Sequence, residues 1–192
     1  MKGCLCWVGL AALLLCLTTV RAKEAIAADR PPEWAVKLEL PGLKNLHRVT
    51  PALYRSAQPT AEGMRQLERL GIRTVISLRA FNSDRDEAKG TGLRLERIRF
   101  NTWHAEDAEV VRFLRLVAAG TNAPVLVHCQ HGSDRTGTML AIYRMAVQGW
   151  TKEQAIRELK EGGYGYHTMW FNLPRYLRRL DISRLKREAG LL

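Results

Sequence analysis

The sequence predicts an α/β fold, a single domain whose central sheet, mostly parallel or mixed, is flanked by helices. Three observations carry that expectation. Short apolar runs bounded by turn residues alternate with stretches of helical periodicity through most of the chain. The chain then ends in a run of helical segments, the arrangement expected of a sheet covered on both faces. With 46% apolar and 26% charged residues, 192 residues suffice to bury one ordinary core, and no fixed-period repeat or low-complexity tract interrupts them. That composition argues against wholesale disorder, a collagen and a polytopic membrane protein.

The elements follow in order. Lys2 precedes an apolar stretch from Leu5 to Val20, broken by Gly9, Thr18 and Thr19 and closed by Arg21, Lys23 and Glu24. This reads as a secretory signal peptide over residues 1–22, with small residues Ala22, Ala25 and Ala27 offering cleavage sites. The expected destination is the periplasm or another exported location. The alternative is an inner-membrane anchor formed by residues 5–20, although a spanning helix needs about 20 apolar residues. Cys16 follows three leucines, where a lipidated cysteine would follow a small residue. Cleavage takes two cations, Lys2 and Arg21, from the formal charge of +11 and leaves +9. The positive charge therefore belongs to the domain and points to an anionic partner, whether phosphorylated substrate, nucleic acid or anionic lipid. Cleavage also removes Cys4, Cys6 and Cys16, leaving Cys129 without a partner for an intramolecular disulfide.

Residues 23–44, with Pro31, Pro32, Pro41 and Gly42, read as an arm or linker, and residues 45–192 as the domain proper. Strands are expected at 46–49, 52–54, 72–78, 93–100 and 124–128. Helices are expected at 61–70, where Thr60 caps, and at 107–119, where Val110, Val111, Leu114 and Val117 share a face. Three more are expected at 136–148, at 151–160 with Thr151 and Gln154 as a capping box, and at 172–188.

The informative stretch runs from Pro124 to Gly137. Its bare core, Cys129 and Arg135 separated by five residues, is a weak signal alone. Its context is strong, because an apolar strand delivers Cys129, a turn containing Gly132 follows, and a long helix opens at about Thr136. Backbone N–H groups in such a turn, together with the unpaired donors of a helix N-terminus, form a nest for an anion. The same field favours a thiolate, so Cys129 is expected to be a nucleophile. Gln130, His131, Gly132, Ser133 and Asp134 complete the anion-binding turn, and Arg135 can fork two N–H bonds onto equatorial phosphate oxygens.

Residues 128–136 match the His-Cys-five-residues-Arg-Ser/Thr signature, and here the chain resembles the cysteine-dependent protein tyrosine phosphatase superfamily. The segments 53–59, 71–79 and 143–150 are similar to its bacterial exported dual-specificity branch, and the resemblance spans about residues 45–180. It implies a dual-specificity phosphatase-like domain in which Cys129 forms a phosphocysteine that water hydrolyses. It further implies that Arg135 binds phosphate, that the Thr136 hydroxyl assists the departing sulfur, and that no metal or other cofactor is required.

The family also uses an Asp on a loop before the preceding helix to protonate the leaving group. No acid stands where that residue aligns, near Trp103 or His104. Asp107 is the first choice, with the alternative that it serves the helix dipole. His104 and Asp134 are further candidates, Asp134 by its resemblance to the in-loop acid of myotubularin-type lipid phosphatases, and a chain with no side-chain acid is the remaining case. His128 is expected to orient the loop by a hydrogen bond. Arg55 and Arg79 follow strands, from which they could reach a phosphorylated substrate, but are read as structural or solvated. The Gly162 to His167 turn suits either packing or a substrate-facing rim. The basic tail from Arg175 to Arg187 reads as the solvated face of an amphipathic helix whose Leu173, Leu177, Leu180 and Ile182 pack inward.

The expected activity is hydrolysis of phosphate monoesters on proteins, phosphotyrosine first, then phosphoserine or phosphothreonine. Alternatives are a phosphoinositide phosphatase, an RNA 5′-triphosphatase, or a phosphate-binding module with weak turnover. The expected partner is a phosphorylated protein, with lipid phosphate as a variant. No nucleic acid partner is expected, membrane contact is expected only through an uncleaved N-terminus, and the chain is expected to be a monomer.

Overall fold

The computed structural model describes residues 30–192, so the signal peptide expected at 1–22 lies outside the described residues. The chain divides into two compact units, Met1–Trp34 and Ala35–Leu192. The described part of the first is a turn closed by the Trp34 N–H on the Pro31 carbonyl at 3.1 Å, with the Arg30 guanidinium 5.3 Å above the Trp34 ring.

The second unit is the α/β domain. Its strands are β1 (Val36–Lys37), β2 (His47–Thr50), β3 (Leu53–Ser56), β4 (Thr74–Ser77), β5 (Arg94–Arg97) and β6 (Val125–His128). Its helices are α1 (Ala61–Arg69), α2 (Asp107–Ala118), α3 (Asp134–Gln148), α4 (Lys152–Glu161), α5 (Asn172–Arg179) and α6 (Ile182–Ala189). The six strands lie in the order β1-β2-β3-β6-β4-β5. The β1-β2 and β2-β3 pairs are antiparallel, and β3-β6, β6-β4 and β4-β5 are parallel. The mixed sheet expected from the alternation is therefore the sheet observed.

Strand β6 sits between β3 and β4 and is buried along its whole length, as an unbroken apolar run in a parallel sheet should be. Alternation along it feeds both cores. Val125 and Val127 join Ile76 and Leu53 under α2, α3, α5 and α6, while Leu126 joins Val75, Tyr54, Met64 and Leu67 under α1. The carboxyl end of β6 thus opens between two packed layers, where parallel sheets place their ligands.

Three boundaries differ from expectation. Residues 35–44 belong to the folded unit, because β1 pairs with β2 and Leu43 is 5% exposed in the smaller core. The tail is two helices, since Leu180 leaves helical geometry and Asp181 caps α6 through the Arg184 N–H. Its leucines do pack inward, with Leu173, Leu177 and Leu180 all buried. Finally, α3 begins at Asp134, which places Asp134 and Arg135 in its first turn. The capping box of α4 forms as expected from Thr151 and Gln154.

Candidate active site

Cys129 leaves the end of β6 with 3% of its surface exposed, and its Sγ accepts the N–H of Gly132 at 3.2 Å. The loop can fold back over the sulfur because Gly132 adopts φ +73°, the left-handed region. A Cβ there would lie 2.5 Å from the Ser56 carbonyl carbon. The next residue, Ser133, occupies the N-cap position of α3, but its hydroxyl donates to the Tyr164 carbonyl at 2.8 Å instead of accepting from the helix. The first N–H groups of α3 are thereby left facing the loop, uncapped by Ser133, as donors for an anion.

Polar groups hold this loop from three sides. Arg55, 2% exposed at the end of β3, donates to the Gly132 carbonyl at 2.6 Å and lies 3.6 Å over the Tyr164 ring. Burial pulls the Arg55 pKa down, opposed by Tyr164, Glu158 and Cys129. Tyr164 in turn donates from its hydroxyl to Glu158 at 2.9 Å, and Glu158 receives two bonds from Arg144, at 2.7 and 2.8 Å. Asn45 donates to the carbonyls of His131 and Tyr164, at 3.0 and 2.9 Å. On the other side His128, fully buried, places Nε2 3.0 Å from Asp84 and Nδ1 3.1 Å from the Cys129 carbonyl. Arg79 donates to the second Asp84 oxygen at 3.1 Å. Burial raises the Asp84 pKa, but His128 and Arg79 overcome that and hold it below the ordinary carboxylate value. With Arg79 on one oxygen and His128 on the other, Asp84 serves as an anchor for the loop and has no charge left uncompensated for a metal ion.

Above the sulfur lies a cavity of about 450 Å3 lined by Cys129, His131, Asp134 and Arg135, with His167 at its rim and Phe81, Trp103, Met169 and Trp170 as apolar walls. Arg135 is docked by one bond to the Leu78 carbonyl at 3.3 Å, leaving the rest of its guanidinium for an oxyanion. Thr136 is fully buried, and its hydroxyl has no hydrogen-bond partner among the described residues.

The structure therefore brings together Cys129, His131, Gly132, Ser133, Asp134, Arg135 and Thr136. Gln130 faces a neighbouring groove beside the N-terminus of α1. Asp107 stands apart from the cavity lining, engaged by the Tyr176 hydroxyl at 3.0 Å and by the Arg184 guanidinium. His104 is exposed beside Glu106, 3.6 Å away. The sequence gives no signal for Asp84, whose partner His128 is remote in the chain, whereas Arg55, expected to be structural or solvated, is structural and clamps the loop. His167 was seen only as part of a glycine-rich turn.

A cysteine cradled by a helix N-terminus and facing an arginine at the base of a cavity defines a cysteine-dependent phosphatase. Comparison with known proteins agrees. Residues 44–167 match the family described as "DSP-PTPase phosphatase fused to NAD+ Kinase". The dual specificity protein phosphatase TpbA of Pseudomonas aeruginosa is 42% identical over 164 residues, covering 83% of this chain and 72% of the relative. A crystal structure of that protein superposes with a TM-score of 0.75 at 37% identity, covering 84% of this chain and 99% of its own. A second, of a Cys-to-Ser variant in complex with phosphotyrosine, gives 0.75 at 36% identity, covering 84% and 98%. The catalytic core of the PP-IP phosphatase SIW14 from S. cerevisiae shares the fold, with a TM-score of 0.67 at 20% identity, covering 80% of this chain and 98% of its own. The chain belongs to the dual-specificity phosphatases, within the cysteine-dependent protein tyrosine phosphatase superfamily.

Proposed function

We propose that the protein hydrolyses phosphotyrosine on proteins, and phosphoserine or phosphothreonine less readily, through a phosphocysteine at Cys129. The observation that carries this reading is the Sγ of Cys129 accepting the Gly132 N–H at 3.2 Å at the base of a cavity it shares with Arg135. That donor and the uncapped α3 N-terminus favour the thiolate. In the reaction the thiolate attacks phosphorus in line with the leaving oxygen while Arg135 and the loop N–H groups hold the equatorial oxygens. Water then displaces the sulfur.

The walls support an aromatic ester. Phe81, Trp103, Met169 and Trp170 offer a phenyl ring apolar contact, and Arg135 is the one permanent cation among the described residues that line the cavity. A polyphosphorylated ligand such as a phosphoinositide or an RNA 5′-triphosphate calls for several cations there. We further propose that the chain is exported and acts as a monomer, because every group of the cavity comes from one unit and Leu5 to Val20 has the character of a signal h-region. Retention through residues 5–20 is the alternative location, and fractionation of cells expressing the full chain separates the two.

The test is turnover of phosphotyrosyl and phosphoseryl peptides alongside phosphoinositide vesicles. Rapid hydrolysis of the tyrosyl peptide, abolished by Cys129→Ser, with a phosphoenzyme trapped on acid quenching, is the expected result. Turnover surviving in Cys129→Ser would refute the thiolate mechanism, and preference for the vesicles would replace the substrate.

A further inference from the structure

The segment that carries the leaving-group acid elsewhere in the superfamily brings none to this cavity. From residues 100–107 the cavity receives Phe100, Asn101, Thr102 and Trp103, none of which titrates in the working range. Asp107 is engaged by Arg184 and Tyr176, and His104 and Glu106 face each other at the surface. A second source of protons does line the cavity. Asp134, 7% exposed in the first turn of α3, accepts the His167 backbone N–H at 2.9 Å with Oδ1 and faces the His167 ring Nδ1 at 2.8 Å with Oδ2.

Two bonds to one residue fix both the segment and the plane of the ring. With Nδ1 held by the carboxylate, the second ring nitrogen, Nε2, has no hydrogen-bond partner among the described residues, and the His167 side chain is half exposed at the rim. A carboxylate on Nδ1 fixes the tautomer that carries hydrogen on that nitrogen and holds the ring in one orientation. This is an orienting carboxylate and an imidazole with one face open to the substrate.

We infer that the His167 imidazolium, oriented by Asp134, is the acid that protonates the leaving oxygen in this enzyme. The inference rests on the phosphocysteine reading above. As the Sγ–P bond forms and the P–O bond to the leaving group breaks, the departing electron pair takes the proton from Nε2, releasing a phenol or alcohol and leaving neutral His167. In the second step neutral Nε2 accepts a proton from the attacking water. The S–P bond breaks, its electron pair returns to Cys129 as thiolate, and phosphate departs with the imidazolium restored. His167 acts in both steps, and Asp134 is its positioning residue.

Several other groups face the ring. His131 stacks edge-on with ring centroids 5.7 Å apart, and Cys129 and Arg135 share the cavity. Tyr166 lies next along the chain, its phenol pushed up to about 12 by burial and by Asp134. Tyr166 therefore keeps one protonation state through the neutral range. A limb there belongs to a histidine or the thiolate, and the Cys129 limb appears on every substrate alike.

The experiment measures kcat/KM, which reports formation of the phosphocysteine, for a series of aryl phosphates of rising leaving-group basicity, on the purified full chain and on His167→Asn and Asp134→Asn. The wild type should depend weakly on leaving-group basicity. His167→Asn should depend on it steeply, losing about 100-fold in kcat/KM on phenyl phosphate and far less on p-nitrophenyl phosphate, and should lose the alkaline limb of kcat/KM. Asp134→Asn, which keeps the imidazole but removes its counter-charge, should move that limb. Equal slopes in wild type and His167→Asn, an unmoved limb in Asp134→Asn, or a limb that disappears in Asp107→Asn or His104→Ala would overturn the assignment. Those outcomes leave the phosphocysteine reading intact, since that reading fails only if Cys129→Ser still turns over.

Discussion

Arg55 donates to the carbonyl of Gly132 at 2.6 Å from a fully buried position, tying the end of β3 to the crest of the catalytic loop. The contact explains why a charged side chain is tolerated inside the sheet. The guanidinium compensates a carbonyl that the left-handed turn directs inward, and the Tyr164 ring at 3.6 Å replaces part of its lost solvation. Arg55→Met is expected to cost roughly 1–3 kcal/mol, the usual penalty for an unpaired buried acceptor. Arg55→Lys should recover little of it, because an ammonium cannot both stack on the ring and reach the carbonyl in the same geometry. Thermal unfolding checks the first statement. Vanadate affinity, which should fall in both variants, checks that the loop and not only the core depends on the clamp.

Gly132→Ala tests the loop directly. The added methyl meets Ser56 and Ala57 backbone atoms 2.5 to 2.6 Å away, and backbone cannot move aside as a flexible side chain would. Strain from the left-handed conformation adds about 1–2 kcal/mol. Displacement of Gly132 takes its N–H away from Sγ, so the variant should lose most turnover and its Cys129 should alkylate with iodoacetamide more slowly at neutral pH. Unchanged alkylation would mean the helix N-terminus alone sustains the thiolate.

Much of this site was legible from residues 124–137, where a strand, a glycine turn and a helix are written contiguously and the chemistry depends on local backbone. The rest depends on pairings that sequence spacing does not display. Strand β1 is two exposed residues joined to β2 by backbone bonds, so no hydrophobic pattern marks it. Asp84 sits in an irregular segment and gains its meaning from His128, which only the parallel pairing of β4 with β6 brings near. Arg55 is structural, one of the two roles expected of it, but its contact with the loop is invisible in the sequence because its partners Gly132 and Tyr164 lie far along the chain. Asp107 shows the converse, since an acid at the start of a helix has the same signature whether it serves catalysis or, as here, meets Arg184 and Tyr176.

Two buried carboxylates should set the response to acid. Asp84 and Glu158 are both raised by burial and lowered further by their partners, Asp84 by His128 and Arg79, Glu158 by Arg144, Ala35 and Tyr164, so each ends below its ordinary value. A carboxyl whose folded pKa lies below its unfolded one binds more protons when unfolded, so stability rises with pH across that interval. Their contribution is complete above the unfolded values near 4 and is lost as pH falls through the lower folded values. Denaturant titrations from pH 6 downward should show stability falling steeply below about pH 4. Asp84→Asn and Glu158→Gln should each begin less stable at pH 6 and lose less on acidification. A wild-type slope unchanged in both variants would assign the acid response to other groups.

Thr136→Val is the variant expected to separate the two chemical steps. The Thr136 hydroxyl is fully buried in the first turn of α3 and has no hydrogen-bond partner among the described residues. A buried hydroxyl left unpaired costs about 1–3 kcal/mol of stability, which suggests a demand outside folding. We propose the departing Cys129 sulfur as that demand, since a donor to a developing thiolate stabilises the transition state for dephosphorylation. Thr136→Val keeps the shape and removes the donor. Hydrogen bonds to charged groups contribute about 1.5–3 kcal/mol, so breakdown of the phosphocysteine should slow by roughly 10- to 100-fold. Formation of the intermediate precedes that step, so kcat/KM on p-nitrophenyl phosphate should stay near wild type while kcat falls and a burst of p-nitrophenol appears in rapid mixing. Thermal stability should be equal or higher, because the substitution removes an unpaired polar atom from the core. A fall in kcat/KM as large as the fall in kcat, without a burst, would place the Thr136 hydroxyl in the first step or in the architecture of the loop.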